Sequence, residues 1–215
     1  MTNTPAMNRY SWYGKLPSAG DFLQRRFPDS LQRQWSHWFQ VGLLAWQQEE
    51  QRSGERQFNK APVWNFVVPP MLGSQMIQMG CLLPGRDSVG RQYPVCLQLS
   101  FAPSEWSTSL LSQAESWYQQ IGRLGLHAVR NSFSASQLDE MLMTIPAPQP
   151  VEPQKRSDIL DVIGYDEDGQ STLGWPQPAA CFDPLRQTSY WWTNRCDGYP
   201  LYTHVHSGNF TGQLF

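Results

Sequence analysis

The stretch Tyr93 to Phe101 constrains this chain more than any other. It sets Val95, Leu97, Leu99 and Phe101 on one side of an extended backbone and Cys96, Gln98 and Ser100 on the other. A strand of that pattern needs neighbours. Val63-Trp-Asn-Phe-Val-Val68 is rich in β-branched and aromatic residues and is closed by Pro69-Pro70. Gln75 to Leu83 and Tyr10 to Tyr13 read as further strands.

Helical spacing separates these segments. Pro28 with Asp29 or Ser30 opens a helix to about Gln51, with Leu31, Trp35, Trp38, Phe39 and Trp46 on one stripe. Glu49 to Lys60 reads as an exposed polar loop. A second long helix is expected from Ser104 to about Arg130, its stripe formed by Trp106, Leu110, Trp117, Ile121 and Leu124. Ser134 and Gln137 have capping-box spacing, ahead of a short helix carrying Leu138, Met141 and Leu142. The run Pro146-Ala-Pro-Gln-Pro-Val-Glu-Pro153 is stiff and extended, because proline fixes φ and lacks an N–H. The tail beyond it holds two strand candidates, Ser189 to Thr193 and Tyr199 to His206. Alone it would make a poor core, so it is expected to complete the same sheet. The chain thus reads as one domain over 8–215, with a Pro-rich connection at 145–157.

Composition narrows the function. Charged residues are 16% of 215, against about 25% in an average protein. Aromatics reach 13%, with ten Trp, which argues for a packed core and against global disorder. A net charge of -2 disfavours nucleic acid as a partner. No apolar run approaches the roughly 18 residues of a membrane span, and the first twelve residues lack an apolar signal core. A cytoplasmic protein with reduced cysteines is expected, and none of the four cysteines forms a C-x-x-C.

Four groups of residues invite a chemical reading. Gly14-Lys15 is followed by Leu16 and Pro17, so it is not a phosphate-binding loop. Lys15 and Ser18 could form a Ser–Lys nucleophile pair oriented by Asp21, although the glycines and proline of that loop point first to a fixed backbone shape. Arg86, Asp87 and Arg91 lie in a glycine-flanked loop that suits either a salt-bridged turn or a recognition surface. His204 and His206 share one strand face with Tyr202 and offer two metal ligands, with Asp197 the only acidic neighbour in sequence. No hydrolase set such as H-E-x-x-H is present, and neither a cofactor nor a metal is expected.

Two loops and a helix together resemble a known family. Tyr13-Gly-Lys-Leu-Pro-Ser-Ala-Gly-Asp-Phe22 resembles the N-terminal signature of the type VI secretion-associated TagF/ImpM family. Trp35-x-x-Trp38 lies where that family carries a tryptophan-bearing first helix. Leu83-Pro-Gly-Arg-Asp-Ser-Val-Gly-Arg-Gln-Tyr-Pro94 is similar to its second signature, P-S-x-D-x-V-G-R-x-F-P, with Gly85 in place of serine and Tyr93 in place of phenylalanine. The segment Ser189-Tyr-Trp-Trp-Thr193, followed by Gly198-Tyr-Pro200, is similar to the closing segment of the family.

The resemblance implies an α/β fold in which a mostly antiparallel central sheet is covered by helices, a layered α-β-α sandwich. It also implies a non-enzymatic post-translational repressor of type VI secretion that binds the cytoplasmic forkhead-associated scaffold protein, without membrane insertion. The residues expected at the partner surface are Lys15, Ser18, Asp21, Asp87 and Arg91. The alternative is a hydrolase or transferase using Lys15, Ser18 and Asp21.

Overall fold

A computed structural model describes residues 10–54, 58–150, 181–198, 200–211 and 214–215. Seven strands form one antiparallel sheet: β1 (Tyr10–Gly14), β2 (Leu23–Arg25), β3 (Trp64–Val68), β4 (Ile77–Leu83), β5 (Val95–Phe101), β6 (Thr188–Thr193) and β7 (Thr203–Ser207), in the order β2-β1-β5-β4-β3-β6-β7. Among the described residues, four α-helices accompany them: α1 (Asp29–Ser53), α2 (Thr108–Ser112), α3 (Glu115–Arg130) and α4 (Ala135–Thr144). The strands near the C-terminus extend the sheet begun by the first hundred residues, because β6 pairs with β3 from Trp64↔Thr193 to Val67↔Tyr190.

Each face of the sheet is covered. On one face, Trp12, Val67, Met79, Leu97, Leu99 and Trp192 pack with Leu110, Tyr118, Ile121 and Leu138 from α2, α3 and α4. On the other, Tyr13, Phe66, Leu82 and Trp191 pack with Leu31, Trp35, Trp38 and Phe39 of α1. The result is the expected α-β-α sandwich.

Double coverage buries both sides of β5. Its polar side does not face water: Cys96 and Gln98 are fully buried beneath α1, and Gln98 Nε2 donates to Ser11 Oγ across the sheet at 3.1 Å. Two boundaries differ from those read in the sequence. Helix α1 runs on to Ser53, into the segment read as an exposed loop. The expected long helix from Ser104 is broken into a short 3-10 turn, α2 and α3, with Gln113 and Ala114 between the last two. The break lets Trp106 turn toward Phe101 and Phe182, while Trp117 Nε1 donates to Tyr10 Oη at 2.7 Å. The capping box forms as read: Ser134 Oγ accepts from Gln137 N–H, and Gln137 Oε1 accepts from Ser134 N–H. The second half of the Pro-rich run, Tyr199 and the first nine residues lie outside the described residues. No described helix is long and apolar enough to cross a membrane.

Candidate functional site: a buried carboxylate that joins two loops

Sheet register brings the two loops together. β1 pairs with β5 through Tyr13↔Cys96, and β4 pairs with β5 through Leu83↔Val95. The loop leaving β1 and the loop joining β4 to β5 therefore emerge at one end of the sheet. They approach too closely for side chains at two points. A Cβ on Gly14, whose φ is +152°, would collide with the Pro94 carbonyl, and a Cβ on Gly85 would lie 2.7 Å from the carbonyl oxygens of Lys15 and Tyr93. Ser88 N–H then donates to Ala19 O at 2.8 Å and stitches the loops together.

Asp87 is the centre of this arrangement. Its side chain is fully buried and accepts four hydrogen bonds. Oδ2 accepts from Lys15 Nζ at 2.9 Å and from Arg91 Nε at 2.6 Å; Oδ1 accepts from the backbone N–H groups of Val89 and Arg91 at 3.1 and 2.8 Å. Burial pushes this carboxyl up, but the hydrogen bonds from Lys15 and Arg91 outweigh it, and the group titrates well below the usual carboxylate range. The Lys15 ammonium also sits 4.6 Å from the centre of the Phe22 ring. Arg91 Nη2 reaches across to Gly20 O at 2.7 Å, yet its side chain stays 63% exposed.

Of the five residues expected at this surface, the structure joins Lys15, Asp87 and Arg91. Ser18 and Asp21 share the first loop with Lys15 but stand apart from the charge cluster. Ser18 Oγ donates to Phe133 O at 2.6 Å, and Asp21 Oδ1 accepts from the adjacent Phe22 N–H at 2.7 Å. Within the cluster only Arg91 is exposed, since Lys15 and Asp87 are buried.

Two site residues escaped the sequence reading. Phe22 is 44% exposed and Val89 is 73% exposed, each at the surface of one of the joined loops. Phe22 shares its loop with Leu16, Pro17 and Ala19, whereas Val89 stands in a loop otherwise made of proline, glycine, polar and charged residues.

Other candidates resolve differently. The His204 and His206 rings lie 6.4 Å apart, and His206 Nε2 donates to Asn209 O at 2.8 Å. Among the described residues, no three His, Cys, Asp or Glu side chains are arranged to hold a metal ion. All four cysteines are unbridged. Burial pushes the Cys81 and Cys96 thiols well up, and Cys196 is pushed up to about 11, so none of these three is primed as a nucleophile.

A second carboxylate ties the edge of the sheet to α4. Arg26 grips Asp139 with both Nη atoms, at 3.0 and 2.5 Å, and its Nε donates to Tyr10 O at 2.8 Å. Trp12 Nε1 adds a fourth contact, to Asp139 Oδ1 at 3.0 Å. Burial raises the Asp139 carboxyl, but Arg26 and Trp12 more than offset it and hold it below its usual range. Arg26 adopts a positive φ of 53° to make this grip.

The chain is thus an α-β-α sandwich with two glycine-dependent loops locked on a buried aspartate. The model of the TagF N-terminal domain, type VI secretion system-associated, matches residues 11–145, and the chain belongs to this family. No curated protein matches the sequence. Among solved structures, PA0076 from Pseudomonas aeruginosa PAO1 is similar in fold: the TM-score is 0.68 at 22% identity, over 94% of this chain and 90% of that one.

Proposed function

We propose that this chain is a cytoplasmic, non-enzymatic negative regulator of type VI secretion. It acts by protein–protein contact, with the forkhead-associated scaffold of the secretion system as its partner. Family membership supports the link to the secretion system. The observation that carries the contact reading is the loop pair itself. A buried carboxylate fixes the backbone of both loops, so Phe22, Val89 and Arg91 are presented on a preorganised surface. Exposed aromatic and apolar side chains beside an arginine have the composition of interface hot spots, and rigidity lowers the entropy lost on binding.

The geometry gives the enzyme alternative no support. A Ser–Lys mechanism needs the lysine nitrogen to take the serine proton. Here Ser18 Oγ donates to a main-chain carbonyl and Lys15 Nζ donates to Asp87. An ammonium engaged with a carboxylate has no lone pair to offer.

The test couples binding to secretion. Val89→Asp alters only an exposed side chain, so the variant should fold like the parent protein. It should bind the purified scaffold at least about tenfold more weakly in calorimetric titration, since a carboxylate forced into a closed apolar contact costs more than 1.4 kcal/mol. In a host lacking the parent gene, the same variant should fail to repress release of the tail-tube protein. Full binding and full repression by this variant would remove the loop surface from the mechanism.

A further inference from the structure

Beside the two loops, on the α1 face of the sheet, a cavity of about 490 Å³ opens to solvent. Trp38 and Trp46 of α1, Trp64 of β3 and Trp191 of β6 line it, with Tyr202 and His204 at the β7 side. That volume falls within the range of about 300–1,000 Å³ typical of ligand pockets. Its lining is aromatic and aliphatic, with few polar groups to orient a small polar ligand.

The cavity is continuous with the loop surface in two ways. Pro84 and Pro94 belong to its wall and bracket the second loop. A line of ring contacts also runs between them: Phe22 meets Tyr93 at 4.8 Å, Tyr93 meets Phe39 at 5.5 Å, and Phe39 meets Phe215, a cavity residue, at 6.0 Å.

Charge identifies the occupant. The two loops carry Lys15, Arg86 and Arg91 against Asp21 and Asp87, a local excess of one positive charge in a chain whose net charge is -2. Asp87 is enclosed by its donors, whereas Asp21, Arg86 and Arg91 are exposed, so the water-facing charge of the two loops is two guanidinium groups against one carboxylate. Arg86 and Arg91 lie on the loop that Pro84 and Pro94 bracket, so a segment running from the tryptophan-lined cavity along this loop meets guanidinium groups.

We infer that the cavity seats one large apolar side chain of an extended partner segment, whose flanking carboxylates engage Arg86 and Arg91. This rests on the reading of the loops as a contact surface, and adds the chemistry of what they contact. The apolar anchor supplies affinity by desolvation, while the acidic flanks set register and speed the encounter.

The experiment pans a phage library of random dodecapeptides against the purified full chain. Recovered sequences are then measured as fluorescein-labelled peptides by anisotropy. Recovered peptides should share an aromatic or aliphatic residue with Asp or Glu close on either side. Ala61→Trp, which fills the cavity from its half-buried wall, should weaken their binding at least about tenfold. Arg86→Glu should weaken it several-fold and flatten its salt dependence. Tyr202→Ala replaces Ala61→Trp if the latter shifts the thermal midpoint. Failure to recover peptides, recovery of peptides with basic or neutral flanks, or equal binding to the filled variant would each overturn the inference. The two readings fail separately. If Val89→Asp still represses secretion while peptides respond to the filled cavity, the loop function falls and the cavity assignment stands. If repression is lost but peptides ignore the filled cavity, only the cavity assignment falls.

Discussion

Two aspartates hold this protein together, and they do so differently. Asp139 meets an arginine whose three guanidinium nitrogens are all engaged inside the molecule, two with the carboxylate and one with Tyr10 O. The pair ties α4 to the sheet edge and is mostly covered. Asp87 meets two cations, one buried and one largely exposed. Around it lie apolar side chains left in water, Phe22 and Val89. Under the proposed function, the exposed surface of Arg91 and the apolar side chains beside it are what set this site apart from a brace. Arg26 is spent on folding, whereas Arg91 presents much of its surface outward.

The sharpest break in this comparison is removal of the carboxylates. Asp87→Ala strands a buried ammonium and two backbone donors, and should lower the thermal midpoint by roughly 10 °C or prevent soluble expression. Asp139→Ala should lower it by only about 2–4 °C, because water can reach the released Arg26. Differential scanning calorimetry of both variants checks the ranking, and equal losses would erase the distinction drawn between the two sites. Gly85→Ser comes next. It introduces the residue of the family signature into a gap bounded by two carbonyls, so it should destabilise by about 1–3 kcal/mol in urea unfolding. A neutral outcome would mean that the loops separate more easily than their contacts imply.

The arginines sharpen the comparison further. Arg91→Ala should weaken scaffold binding at least about tenfold and leave the thermal midpoint within about 3 °C. Arg26→Ala should do the opposite, leaving binding unchanged while the midpoint falls by a few degrees. Calorimetry and titration on the same preparations separate the two patterns. A variant of Arg91 that loses stability first, with binding falling only in step with the folded fraction, would make Arg91 a brace like Arg26.

Much of this architecture was legible in local patterns. The alternation at 95–101, the stripe through Leu31, Trp35, Trp38 and Phe39, and the Ser134–Gln137 cap each follow from a short-range rule. What was missed depends on contacts between segments far apart in sequence. Gln98 is buried because α1 lies across that side of β5, which alternation within β5 cannot reveal. Strand β2 spans three residues, Leu-Gln-Arg, too few to show a period, and it exists because β1 offers it a partner. The helix expected from Ser104 breaks because Trp106 and Trp117 serve different parts of the core. At the site, the loops and their charges were visible in the sequence, and sheet register is what brings Lys15 to Asp87, 72 residues away. Val89 gave the weakest signal, since a single valine in a loop acquires meaning only once the structure shows it outside the core.

The smallest expected effect concerns acid. Both carboxyls titrate below their usual range in the folded protein. A depressed folded-state value means that the unfolded chain binds protons first as the pH falls. The stability these groups contribute is therefore fully present above about pH 4, the ordinary carboxylate value, and is lost as the pH falls below it toward their folded-state values. The thermal midpoint should be level between about pH 7 and pH 5 as far as these two groups determine it, and should decline below about pH 4. The comparison between the sites predicts how that decline divides. Asp87→Asn should start lower at neutral pH and show the shallower acid decline, because the group with the stronger proton linkage is gone. Asp139→Asn should retain most of the parent slope, its carboxyl being held by an arginine that water also reaches. Midpoints measured at half-unit intervals from pH 5 to pH 2.5 would decide between them. If Asp139→Asn flattened the decline more than Asp87→Asn, the brace at the sheet edge would be the dominant acid-sensitive bond of the fold.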